Sequence, residues 1–100
     1  MSRIYLIEKL FDINYRMAIH EGNANRRLAS EAIKIKLLPT NDIPAKYKKE
    51  FSKLINLIED TIKNLPAPGL TPTKLGNIKN KTASKYIKLL IHILDDIRHE

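Results

Sequence analysis

Apolar residues recur along this chain at three- and four-residue steps, the period of a helix face, and nowhere alternate over four residues as a half-buried strand would. Residues 42–66 carry the cleanest such stripe: Tyr47, Phe51, Leu54, Ile55, Ile58, Ile62 and Leu65. Lys46, Lys49, Lys53, Asn56, Asp60 and Lys63 fall on the opposite side, so the segment reads as a long one-sided helix around which the rest packs. Asn41 or Asp42 can cap its start, Pro44 suits its first turn, and Pro66, Pro68 and Gly69 stop it.

Three further segments supply its partners. Residues 2–20 read as a first helix, with Ser2 as cap and Gly22 as stop. It has two apolar rows, Ile4, Ile7, Phe11, Tyr15 and Ala18 beside Leu6, Leu10, Ile13 and Met17. Together they span roughly 200°, where one core-facing stripe needs about 100°. Asn23 or Asn25 caps a second helix that runs to Leu38 before Pro39, and the joint 39–44 suits two antiparallel neighbours. Asn80 or Thr82 caps a last helix reaching Arg98. There Ala83, Tyr86, Ile87, Leu90, Ile93, Leu94 and Ile97, flanked by Leu89 and Ile91, again cover roughly 200°. Residues 65–75, LPAPGLTPTKL, form the single Pro/Gly-rich stretch, and Thr71-Pro72 is expected to start a helical turn that tucks Leu75 and Ile78 onto the bundle. The expected fold is all-α: one domain over residues 1–100, an antiparallel four-helix bundle with a Pro/Gly-containing crossover between helices three and four.

Residues 26–51 carry a further pattern: Arg27-Leu28-Ala29, an aliphatic run to Leu37-Leu38-Pro39, then Pro44 and Phe51, with a glycine-led turn and a C-terminal helix later. In these features the chain resembles a scattered set of small all-helical bacterial proteins of unknown function. The resemblance implies no activity.

Composition narrows the chemistry. The absence of cysteine removes disulfides, a thiol nucleophile and thiolate metal sites. No apolar run approaches the ~18–20 residues that span a bilayer, and the candidate at 86–94 is interrupted by Lys88 and His92. The charged first segment does not read as a signal peptide, so a cytoplasmic location without a membrane partner is expected. Glu59-Asp60 and Asp95-Asp96 are adjacent pairs that point around a helix rather than into one cavity, and Glu8, Glu31 and Glu50 read as isolated on solvated faces. No Gly-x-Ser-x-Gly elbow or phosphate loop occurs, so no enzyme, catalytic residue or cofactor is expected. His92, Asp95, Asp96 and His99 have spacing that a metal could bridge, but offsetting of charges at a helix end is the stronger reading, and no metal site is expected. Tyr47, Phe51 and Tyr86 read as core rather than as a ligand box.

Two function classes remain. The excess apolar surface of the first and last helices would stay wet in a lone bundle, which monomers rarely tolerate. The leading expectation is therefore a small helical interaction protein, an accessory or regulatory factor of a bacterium or phage. It would pair as a homodimer, or with another protein, through Leu6, Leu10, Ile13, Met17, Leu89 and Ile91. The alternative starts from the net charge of +7. No Asp or Glu falls between Asp60 and Asp95, whereas Lys63, Lys74, Lys79, Lys81, Lys85 and Lys88 all do. Lys81, Lys85 and Lys88 share one helix face, with Lys74 and Lys79 on the joint before it, and such a face can contact nucleic-acid phosphates. Against this, the lysines are scattered through a chain rich in Ile, Lys and Asn, there is no Trp, and two prolines occupy the joint where a helix-turn-helix needs a tight turn. Arg26-Arg27 could pair with Glu31 or Glu21, or grip a partner.

Overall fold

The computed structural model describes residues 3–99, so Ser2, the expected cap of the first helix, lies outside them. Among the described residues five α-helices form: α1 (Arg3–Ile19), α2 (Ala24–Ser30), α3 (Ala32–Lys36), α4 (Ala45–Lys63) and α5 (Asn80–Arg98). The protein is all-helical, and no strand occurs among the described residues.

The expected second helix is broken in two at Glu31, whose φ of −109° and ψ of 7° leave the helical region. The break has a packing cause. α2 lies against α5 and α3 lies against α4, which one short straight helix could not serve together. Asn23 caps α2 as expected, accepting from the Arg26 N–H at 3.0 Å. Gly22 is needed for space: a Cβ there would stand 2.7 Å from the His20 ring.

Residues Thr40–Asp42 form a single 3-10 turn, so neither Asn41 nor Asp42 caps α4. Pro44 occupies that position without a side-chain bond. α4 ends at Lys63, where the Asn64 amide donates to the Asp60 carbonyl at 2.9 Å before Pro66 can interfere. The helical turn expected from Thr71-Pro72 does not form. Leu75 is nonetheless fully buried and Ile78 packs against the core.

The centre of the molecule is α5 rather than α4. It packs against α1, α2 and α4, and buries Ala83, Tyr86, Leu90, Ile93, Leu94 and Ile97. Its wide apolar arc is thus consumed by three neighbours, with Ile87 and Leu89 half-buried at the margins. α1 differs: its inner row enters the core, and of the outer row Ile7 alone packs against it. Leu6, Leu10, Ile13 and Met17 are at most 1% exposed, which corrects their assignment to an oligomer interface: they are the core of this chain. Leu89 is likewise half-buried against the core, while Ile91 is 48% exposed.

A buried amide holds the irregular segment 64–79. Asn25 donates from Nδ2 to the Ile78 carbonyl at 2.9 Å, and its Oδ1 accepts from the Leu75 N–H. The Asn25 backbone N–H donates in turn to Oδ1 of Asn80 at 3.1 Å, so Asn80 bridges helices instead of capping α5. Replacing Asn25 strands buried backbone groups, each costing about 1–3 kcal/mol. Asn25→Ala should therefore lower unfolding stability by about 2–4 kcal/mol in urea titration, and a loss below about 1 kcal/mol would refute this role.

Candidate functional site

Three surface features have the residue types to contact something outside the chain. The first is the outer row of α1. Its members carry the same helical spacing as the buried row, but apart from Ile7 they stay exposed among the described residues. Ile4 is 66% exposed, Phe11 53%, Tyr15 51% and Ile19 65%, and Ala18 is exposed between them. Asn14, midway along α1, donates to the Leu90 carbonyl midway along α5 at 3.3 Å. Arg98, at the end of α5, shares a shallow cleft with Ile7 and Phe11, so the two helices run antiparallel. Of the six interface residues expected from the sequence, Ile91 is the one left exposed. The open surface belongs instead to the adjacent row, with Ile19 continuing it.

The second feature is the set of lysines expected to contact phosphates. Lys74, Lys79, Lys81, Lys85 and Lys88 are all exposed. Lys85 is partly neutralised, its Nζ 3.4 Å from Glu50, a carboxylate that Lys53 also bonds at 3.1 Å. The Lys53 hydrogen bond is the largest cause holding the Glu50 carboxyl below its ordinary value, with Lys85 adding to it. Lys74 and Lys79 diverge from this pair and line a separate cleft with Arg26, an association that no spacing rule reveals. Arg26 and Arg27 do not reach Glu31. Arg27 Nε donates to the Gly22 carbonyl at 2.7 Å, and Glu31 is buried on Arg16 of α1 at 2.8 Å. Glu31 is therefore a packed ion-pair member rather than a solvated acid.

The third feature lies where α4 meets the end of α5. Asp96 accepts from both Lys46, at 2.7 Å, and the Tyr47 hydroxyl. The Lys46 hydrogen bond, then that of Tyr47, holds the Asp96 carboxyl below its ordinary value. The Asp96 bond is also the largest cause raising Lys46 and Tyr47. Asp95 instead faces His99. Among the described residues no group of three or more His, Asp or Glu converges as metal ligands would, and no helix is long and apolar enough to cross a membrane.

No protein family, curated protein or solved structure matches this chain.

The Asp96 cluster sets a pH dependence. A lowered carboxyl contributes stability that is complete above its ordinary value of 3.8 and is lost as pH falls to the folded value. Raised Tyr47 and Lys46 contribute below their ordinary values of 10.0 and 10.5, and lose that contribution as pH rises through the folded values. The stability difference between the wild type and Asp96→Asn, followed by urea titration from about pH 7 to about pH 3, should shrink towards zero on acidification. A difference independent of pH would contradict the pairing.

Proposed function

We propose that this protein is a small helical interaction factor that pairs with a second copy of itself through the outer face of α1. α2 and α3 then serve as one broken limb of a four-helix bundle, with residues 64–79 as its crossover, and the bundle presents α1 to the partner. The exposed row Ile4, Phe11, Tyr15 and Ile19 is the observation that carries this reading. All four are more than half exposed, and a standard interface burying ~800 Å² per partner is a little over half apolar.

A second copy suits the row because a two-fold interface meets itself and needs no differently shaped partner. Ile4 and Ile19 stand seven and eight residues either side of Phe11. Antiparallel crossing of two α1 helices at Phe11 therefore sets each isoleucine near its opposite number. Glu8, Lys9, Asp12 and Arg16 give the helix both signs of charge, so no block of like charge opposes the approach. Another protein remains the other outcome of the same surface, and an accessory or regulatory role in a bacterial or phage cytoplasm accords with either.

Light scattering coupled to gel filtration tests the pairing. The wild type at high micromolar concentration should show twice the 11.5 kDa chain mass. Phe11→Glu, at an exposed helical position, should give a monomer with unchanged helical circular dichroism. A wild type that stays monomeric at that concentration overturns the dimer.

A further inference from the structure

We propose that the cleft where the start of α2 meets the start of α5 grips the phosphodiester backbone of duplex nucleic acid, with Arg26, Lys74 and Lys79 as its phosphate contacts. The cleft is open, about 500 Å³, and Asn23, Asn25, Asn77 and Asn80 complete its polar lining. No carboxylate lines it. Arg26 comes from α2, and Lys74 and Lys79 from the segment before α5, so the fold brings together cations some fifty residues apart in sequence.

Like charges that share a cleft repel one another, and at some other cations of this protein a carboxylate offsets the charge. Arg16 meets Glu31, Lys46 meets Asp96, and Lys53 and Lys85 share Glu50. Among the described residues none of Arg26, Lys74 and Lys79 has such a partner. The crossover cannot provide one, because no acid occurs between Asp60 and Asp95. An anion from outside would supply the missing charge. The donor set is right for phosphate: an arginine fork that can bond two oxygens, flanked by two ammonium groups and by amides. The first turn of α5 adds no acid and its N-cap position makes no side-chain bond, which leaves the local field positive.

A polyanion fits better than a lone phosphate. Arg26, Lys74 and Lys79 line an open cleft rather than an enclosed pocket, so a backbone can run along it where a lone phosphate would stay mostly in water. A duplex fits better than a single strand because no aromatic side chain lines the cleft to stack an unpaired base. With backbone contacts alone, binding is sequence-independent and steeply salt-sensitive. The inference does not rest on pairing through α1.

Fluorescence anisotropy with a labelled mixed-sequence DNA duplex tests it across a salt series. Wild-type affinity should fall steeply with salt. The Arg26→Glu/Lys74→Glu/Lys79→Glu variant should bind at least about tenfold more weakly, with the salt slope reduced by about one unit per contact removed. The charge-matched Lys36→Glu/Lys48→Glu/Lys49→Glu variant, altered on α3 and α4, should lose no more than about threefold. The corresponding Gln triple at Arg26, Lys74 and Lys79 should rank between the wild type and the Glu triple. Equal losses in both Glu variants, no salt-dependent binding by the wild type, or pyrophosphate binding as tightly as the duplex would each overturn the proposal.

Discussion

Burial of α5 on three sides is the constraint to which the other elements answer. Its arc of apolar residues is too wide for one neighbour, and α1, α2 and α4 divide it between them. Removing this much hydrocarbon from water is the main favourable term available to a chain without disulfides. The division also explains the broken second helix. α2 has to lie on α5 while the chain continues towards α4, and the turn at Glu31 allows both.

Polar groups then fix what apolar burial leaves undetermined. Asn25 ties the irregular segment 64–79 to the start of α2 by bonds to Leu75 and Ile78, and Asn80 bonds back to it. Arg16 neutralises Glu31 at the break. The hydrophobic effect is non-directional, whereas these bonds have geometry, so they select one arrangement of helices that could otherwise slide. Pro72 and Leu75 are buried under the same segment, which has no helix of its own and depends on these contacts for its shape.

Much of the helical layout was legible because long one-sided stripes at 3.6-residue spacing have few other interpretations. α1, α4 and α5 fall within a few residues of their expected bounds. Helix ends were less legible, since Asn41, Asp42 and Asn80 are all good caps by type yet serve a 3-10 turn or a bridge instead. The apolar excess on α1 and α5 was readable, but not its fate. Periodicity gives the width of an apolar arc without saying how many neighbours cover it. That ambiguity is why the spacing alone points Leu6, Leu10, Ile13 and Met17 outward although Ile4, Phe11, Tyr15 and Ile19 are the exposed ones. The same limit hid the meeting of Arg26 with Lys74 and Lys79, which is a product of tertiary contact alone. The acid-free run after Asp60 and the Arg26-Arg27 pair are visible in the sequence, but not their meeting.

On α1, the same spacing that buries one row leaves Ile4, Phe11, Tyr15 and Ile19 more than half exposed among the described residues. If a second copy covers that row in solution, the solvent contact of its isoleucines depends on protein concentration, whereas that of Ile33 on α3 does not. Paramagnetic relaxation of isoleucine δ1 methyl signals by an inert soluble probe measures this residue by residue. Pairing through α1 predicts that Ile4 and Ile19 are shielded at high concentration and regain exposure on dilution, while Ile33 is bleached throughout. Ile4 and Ile19 bleached as strongly as Ile33 at every concentration would contradict it.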